Sequence, residues 1–359
     1  MPIVNVKKTR TILVAPLHWG LGHATRCIPI INGLLAQNYK VLLGSDGAAL
    51  SLLRKEFPQL PWVELPGYNI SYSKKAGHFK WKLMTAIPRL QKTIQKEKQF
   101  VKDLVVQGKI DGIISDNRFG VRNKQVPSVF VTHQLNVLSG KTSFISSKLH
   151  QKIIEKFNEC WVPDVNTPIN LSGKLGHPKK TSLPIKYIGP LSRMKKENLP
   201  IKYDVLALLS GPEPQRTLLE EKVTALFLEN LDKKYLLVRG VIEEQSSTKI
   251  RENVTIVNFM QSEELQNAIN ESAMVLARSG YTTLMDLAAL EKPAFFIPTP
   301  GQYEQIYLAK QLKNNGVAPS CGQEKFKLKK LKEIPLYKGL KAFQTDIDYA
   351  ELFRLFERK

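Results

Sequence analysis

At 359 residues with 43% hydrophobic side chains the chain can bury two ordinary α/β cores, and no apolar run approaches the roughly 20 residues that cross a bilayer. Fifty-three Lys and Arg against 32 Asp and Glu give a net charge of +21, which calls for a polyanionic partner: nucleic acid, an anionic membrane or phosphorylated small molecules. Cys27, Cys160 and Cys321 lie far apart without CxxC spacing, which excludes a disulfide framework or a cysteine zinc site and predicts packing residues in a reducing compartment.

The first predicted element is a strand from Thr11 to Ala15. It runs into His18-Trp19-Gly20-Leu21-Gly22-His23-Ala24-Thr25-Arg26 and then a helical pattern from Cys27 to Gln37. The apolar Ile12 to Leu17 run is strand-length and enters this glycine turn, unlike a signal peptide, so a cytosolic protein is expected. A second strand, Tyr39 to Leu43, ends at Gly44-Ser45-Asp46-Gly47; a helix through Phe57 and a short strand at Trp62 to Leu65 follow. Further strands are predicted at Asp111 to Ser115, Ser128 to Thr132 and Glu159 to Val162. This alternation builds a parallel, doubly wound sheet whose ligands sit beyond the carboxyl ends of the strands. Asp116, Arg118 and His133 follow such strands and, with His18 and Arg26 beside the first turn, are acceptor-side candidates; helix capping and turn formation explain them nearly as well.

Between Lys80 and Val106 apolar residues recur at helical spacing, with Pro88 expected to bend or interrupt the run. From Lys74 to Lys109 ten Lys or Arg stand against Glu97 and Asp103. Such a basic amphipathic segment is either a solvated helix over an ordinary core stripe or a surface resting on anionic lipid, with Lys80, Trp81, Lys82 and Met84 as contacts.

The stretch 188–200, rich in Pro, Gly and charge, reads as a linker, and a second alternation follows it. Asp204 to Leu209 is a strand entering Ser210-Gly211, Leu218 to Leu231 a helix, Tyr235 to Val238 and Val254 to Val257 strands, and Ser262 to Glu271 a helix. Then the apolar run Ala273 to Leu276 gives way to Arg278-Ser279-Gly280 and a helical segment through Leu290, with another apolar run at Pro293 to Pro298. A strand, tight turn and helix in this order point free backbone N–H groups and the positive end of a helix dipole at one spot, which suits a phosphate or pyrophosphate. Asp286, about two turns in, reaches toward a hydroxyl next to that phosphate. Lys325 to Lys341 is a second basic cluster, and Phe343 to Phe356 reads as one amphipathic helix. Asp346-Ile347-Asp348 has metal-transferase spacing but begins that helix and is better explained by N-capping; no metal is expected.

Two motifs in order, one per half, make a family visible. The chain resembles the two-Rossmann-domain GT-B glycosyltransferases, within them the bacterial enzymes that add N-acetylglucosamine to the undecaprenyl-linked peptidoglycan precursor and the related glucuronosyltransferases. The resemblance rests on Gly20-Leu21-Gly22-His23 and, more specifically, on Arg278-Ser279-Gly280 through Asp286, Ala288-Ala289-Leu290, Lys292-Pro293, Ile297-Pro298, Gln302-Tyr303-Glu304-Gln305 and Gly316-Val317-Ala318. It implies two doubly wound α/β domains facing a cleft: residues 1–192 on the acceptor side, a linker at 193–200, residues 201–341 on the nucleotide-sugar side, and a terminal helix at 342–359 packing back on the first domain.

The resemblance also implies roles. Ser279 and Gly280 would give backbone amides, and Thr282 and Thr283 further donors, to the diphosphate of a UDP-sugar, with Ser210, Gly211 and Gly22 completing the turns and Arg239 or Arg278 near. Asp286 stands at the ribose position, one methylene shorter than the usual Glu. Phe259 and Met260 stand where backbone atoms hold the uracil, Glu304 and Gln305 where donor-sugar hydroxyls are contacted, and His23 at the general base. The expected activity is inverting, metal-independent sugar transfer to an acceptor, lipid-linked at the cytosolic membrane face, with no cofactor beyond the donor and no nucleic-acid partner. The alternatives are a UDP-sugar epimerase of the same fold and a non-catalytic nucleotide- or polyanion-binding protein. A dinucleotide oxidoreductase using Gly20, Gly22 and Asp46 lacks its third glycine, since Thr25 occupies that position.

Overall fold

The computed structural model describes residues 9–68, 79–138, 143–241, 247–343 and 346–357, and only the backbone of 79–87, 247 and 249. Two Rossmann-like units follow one another. The first contains β1 (Thr11–Pro16), α1 (Gly22–Ala36), β2 (Lys40–Ser45), α2 (Gly47–Glu56), β3 (Trp62–Glu64), α3 (Phe79–Val106), β4 (Gly112–Asp116), β5 (Ser128–Val131), α4 (Ser143–Ile154), β6 (Glu159–Val162) and β7 (Ile185–Tyr187). Its seven-stranded sheet runs β3-β2-β1-β4-β5-β6-β7, with every pairing parallel. The strands are short apolar runs buried on both faces, as a sheet covered by helices on each side requires: Ile12 to Ala15 and Val129 to Val131 are fully buried.

The second unit contains β8 (Tyr203–Leu208), α5 (Gln215–Leu228), β9 (Tyr235–Val238), β10 (Ser247–Arg251), β11 (Val254–Val257), α6 (Ser262–Asn270), β12 (Ser272–Ala277), α7 (Tyr281–Ala289), β13 (Ala294–Phe296) and α8 (Tyr303–Asn314). Its order is β10-β11-β9-β8-β12-β13, parallel except for the antiparallel edge strand β10. In each sheet the chain winds outward in both directions from a central pair, β1 with β4 and β8 with β12. The crevice beyond the carboxyl ends of such a pair is where doubly wound sheets place their ligands.

Three local expectations give way. The first helix begins at Gly22 rather than Cys27, so His23 already lies on it. The helix α3 runs unbroken through Pro88, which is on the exposed face, where a helix can curve and turn its freed carbonyl to water. The terminal segment is not one helix: 3₁₀ turns at Lys341–Phe343 and Arg354–Glu357 flank a short α9 (Tyr349–Phe353). Asp348 accepts from the Glu351 amide at 3.0 Å and fixes where α9 starts.

This terminal segment packs on the first unit. Phe353 meets Tyr39 edge-on with centroids 5.9 Å apart, and both Phe353 and Phe356 approach the fully buried Trp161. Gly33 and Gly112 are glycine for this reason, since a Cβ there would lie 2.4 Å from the Tyr349 ring and 2.6 Å from Phe356. One apolar cluster thereby runs from β1 and α1 through the terminal segment to α7 of the second unit.

Candidate active site between two glycine turns

The turn after β1 holds Gly20 at φ +79° and places Gly22 and His23 in the first turn of α1. His23 and Arg26, three residues apart, share one face of α1 and meet the last residue of β4. His23 Nδ1 lies 2.8 Å from Asp116 Oδ1 and 2.9 Å from a terminal nitrogen of Arg26, and Arg26 grips both oxygens of Asp116 through Nε and that nitrogen. Asp116 and Arg26 are almost wholly buried. Burial alone would push the Asp116 carboxyl up; Arg26 and then His23 outweigh it and hold it well below the usual carboxylate range. The Cys27 thiol, also buried beside Asp116, is pushed up and stays protonated.

Several acceptor-side candidates therefore take other places. Asp116 and Arg26 lie beneath His23 instead of facing an acceptor. Arg118 is fully buried as well: it donates to Glu97 of α3, to Asp46 and to the carbonyl of Pro66, at 2.7–2.8 Å. Glu97, the one carboxylate in the first part of the basic helix, is held there by Arg118, the Tyr68 hydroxyl at 2.6 Å and the Gly120 amide. His18 is exposed on the turn, with Nδ1 3.3 Å from Asp46.

His133 bridges the units. Its ring stacks on Tyr281 at 4.0 Å between centroids, its Nε2 is 2.9 Å from Glu304 and its Nδ1 is 3.2 Å from Arg26. Because guanidinium only donates, both contacts are attractive when Nε2 carries the proton and Nδ1 accepts. Burial lowers the His133 pKa, against the pull of Glu304. Gln134 also donates to Glu304, and the Tyr281 hydroxyl donates to the carbonyl of Pro163 at 2.8 Å. Glu304, expected at the donor sugar, has both carboxylate oxygens bonded across to His133 and Gln134 of the first unit.

The second turn is built from backbone. Ser210 and Gly211 are exposed beyond β8, with Gly211 at φ +107°. Beyond β12, Gly280 caps α7 and, being glycine, offers no side-chain oxygen; among the described residues no side chain caps the first-turn amides. Side chains nearby turn away from that spot. Ser279 Oγ donates to the carbonyl of Gln305 at 2.8 Å, and Gln305 Oε1 accepts from the Thr299 amide at 2.8 Å. Arg278, expected near the diphosphate, is fully buried and donates to the carbonyls of Gln215, Ile297 and Pro298 and to Gln323. Arg239 pairs with Glu220 at 2.6 Å and donates to Asn258. Phe259 and Met260 follow β11, half-buried. Asp286 accepts from Ser192 Oγ at 2.7 Å; burial raises its pKa to about 6, against Ser192 and Arg193.

The two turns touch. Gly22 faces Thr282 so closely that a Cβ would lie 2.6 Å from its Oγ1, and Thr282 Oγ1 is 3.4 Å from the Gly22 carbonyl. Thr283, one residue further along α7, is half-buried. His23, next to Gly22, is therefore a base candidate placed by this contact near the amino end of α7, the candidate anion site.

Lys80, Trp81, Lys82 and Met84 fall on α3, but their side chains lie outside the described residues. Nearby, α4 presents an apolar face that the sequence reading missed: Phe144, Ile145 and Leu149 are 71%, 62% and 60% exposed, and Lys148 lies over Phe144. A second apolar stripe opposite Ile153 and Ile154 was the available signal. Burial and then the nearby Arg122 and Lys156 lower the Lys98 ammonium, so cations cluster on this side of the unit.

These two doubly wound units have the GT-B fold of solved glycosyltransferases. Residues 215–340 match the glycosyltransferase family 28 C-terminal domain. The chain is 25% identical over 324 residues to an uncharacterized glycosyltransferase of Methanosarcina mazei, covering 83% of this chain and 82% of that one. It is 24% identical over 304 residues to the UDP-N-acetylglucosamine--N-acetylmuramyl-(pentapeptide) pyrophosphoryl-undecaprenol N-acetylglucosamine transferase of Haemophilus influenzae, covering 83% and 81%. The solved structure of the kitacinnamycin glycotransferase shares the fold, with TM-score 0.65 at 12% identity over 97% of this chain and 99% of that one.

Proposed function

We propose that the protein transfers a sugar from a UDP-sugar to an acceptor hydroxyl with inversion and without a metal, on a lipid-linked acceptor at the cytosolic membrane face. The observation that supports this most is the opposition of His23, backed by Asp116 and Arg26, to the uncapped amino end of α7 across the Gly22–Thr282 contact. With Nδ1–H donated to Asp116, Nε2 of His23 carries the lone pair that takes the acceptor's proton. Asp116 stays ionised and steadies the imidazolium that forms. The acceptor oxygen bonds to the anomeric carbon as the bond from that carbon to the diphosphate breaks. Charge growing on the departing UDP meets the first-turn amides of α7 and the Ser210–Gly211 turn, fixed dipoles that need no rearrangement. The UDP donor is supported by the Haemophilus relative, whose name carries UDP-N-acetylglucosamine. The membrane face is supported by the exposed apolar residues of α4, with Lys148 over Phe144.

The test is transfer from a panel of UDP-, GDP- and TDP-sugars to extracted polyprenyl-phosphate and glycerolipid acceptors, with product anomers assigned by NMR. Transfer from a UDP-sugar with inversion is expected. Retention, or an epimerised donor formed without acceptor, overturns the proposal. Retention on anionic liposomes at low salt, lost on charging Ile145 and Leu149, is expected of the membrane reading.

A further inference from the structure

The linker contributes a side chain to the nucleotide-side turn. Ser192 Oγ donates to Asp286 Oδ1 at 2.7 Å and accepts from the Met194 amide at 3.0 Å, so both its donor and its acceptor capacity are engaged and its rotamer is fixed. On one side of it the Leu191 amide points at Met285 Sδ, 3.3 Å away on α7. On the other, Arg193 pairs with Glu56 of α2 at 3.4 Å, and the same Glu56 oxygen accepts from Ser262 at the start of α6. Leu191, Ser192 and Arg193 are therefore pinned to α7 and α2, and the Lys195 amide donates to Gln266 of α6 at 2.8 Å. No further hydrogen bond of the Asp286 carboxylate is found among the described residues.

We infer that Ser192 is a positioning residue for nucleotide binding: it holds Oδ1 of Asp286 and so orients Oδ2 toward the ribose diol of the donor. This rests on the UDP-sugar reading above. A carboxylate on the short Asp side chain has little reach to spare, and an unrestrained χ2 would spread its oxygens over directions from which one methylene less cannot recover. A hydroxyl clamped by the backbone removes that freedom before the ligand arrives, as outer hydrogen-bond partners do for metal ligands. The same hydroxyl favours the ionised carboxylate, the form that accepts from both ribose hydroxyls. It acts there together with Arg193, whose own charge is tied to Glu56, against the burial that raises Asp286. Removing Ser192 then disturbs orientation and ionisation at once. A residue serving only to seat the linker would disturb neither.

The experiment is calorimetric titration of the full chain with UDP for wild type, Ser192→Ala, Ser192→Thr, Asp286→Ala and the Ser192→Ala/Asp286→Ala pair, each checked for unaltered unfolding. Ser192→Ala is expected to weaken UDP about tenfold, the loss of one hydrogen bond to a charged group. Ser192→Thr, which keeps the hydroxyl, should restore most of it, and the pair should bind no worse than Asp286→Ala alone. Between about pH 5 and 8 the acid limb of UDP affinity should begin at higher pH in Ser192→Ala than in wild type; the difference cancels the titration of UDP itself. Wild-type affinity and pH profile in Ser192→Ala, or additive losses in the pair, overturn the inference. If Asp286→Ala binds UDP as wild type does, the ribose role of Asp286 falls and the inference with it; if only Ser192→Ala is silent, the ribose role stands and the linker's part falls.

Discussion

The two turns occupy equivalent places, each beyond the central pair of a doubly wound sheet, and they solve opposite problems. At the first, side chains converge: His23, Arg26 and Asp116 bury charge beneath one imidazole. At the second, side chains withdraw: Arg278, Ser279 and Gln305 bond to the protein's own backbone and leave the amino end of α7 bare. The two aspartates, Asp116 fully buried and Asp286 half-buried, make the same contrast. Burial opposes ionisation of both, but Arg26 and His23 drive the Asp116 carboxyl down, whereas only a serine hydroxyl and a more distant arginine answer it at Asp286, which rises to about 6. In the proposed transfer, moving a proton needs a side chain with a tuned partner, while holding a diphosphate needs an array of amides, and the two turns differ in that sense.

The contrast breaks most visibly at Arg26. Arg26→Ala leaves Asp116 buried without its main counter-ion and should cost about 3–5 kcal/mol of stability by urea unfolding. Arg239→Ala, in the half-exposed ion pair of the second unit, should cost less than about 1 kcal/mol; equal losses would erase the asymmetry. His23→Ala should lower turnover about 10²- to 10⁴-fold while UDP affinity by calorimetry stays that of wild type, and unchanged turnover would remove His23 as base.

The aspartates sharpen the comparison through pH. Asp286 has a folded pKa above its unfolded value of about 3.9, so its cost to stability is fully present above about pH 6 and vanishes as the pH falls toward 4. Asp286→Asn should therefore stabilise the ligand-free protein by about 1–3 kcal/mol at pH 7–8 and leave it unchanged near pH 4. Asp116 has the opposite sign: its depressed folded pKa gives stability that is present above about pH 4 and lost as the pH falls further. Thermal unfolding of Asp286→Asn and Asp116→Asn from pH 3 to 8 separates the two, and the same pH dependence for both variants would contradict the assignment. A small effect is also expected at the contact between turns. Gly22→Ala places a methyl against Thr282 Oγ1 and should cost about 1 kcal/mol and part of the turnover, restored by Thr282→Ala.

Much of this was legible beforehand because it is local. Alternating apolar runs and glycine turns locate both sheets, and Gly22-His23 and Ser279-Gly280 sit in sequence beside the strands that present them. What sequence leaves open is long-range. Asp116 lies 93 residues from His23, and nothing in Asp116-Asn117-Arg118 says that one charge goes under a histidine and the other into a pocket with Glu97. Arg278 reads as a phosphate ligand because it adjoins a phosphate turn, yet its guanidinium is buried against the carbonyls of Gln215, Ile297 and Pro298. Ser192 was hidden in a stretch read as linker on composition, since its partner is 94 residues away. The terminal helix was overextended because its apolar spacing is helical throughout, while the cap at Asp348 decides where α9 begins.

The return of the terminal segment to the first unit has a mechanical consequence. The polypeptide passes between the units twice, once through 189–200 and again between Phe343, which packs beside α7, and Tyr349, which presses on Gly33. Two bodies joined at one point can swivel and twist freely; joined at two, they keep chiefly a single rotation about the line through both joints. The aromatic residues Phe353 and Phe356, packed against Tyr39 and Trp161, fix the second of these joints to the first unit.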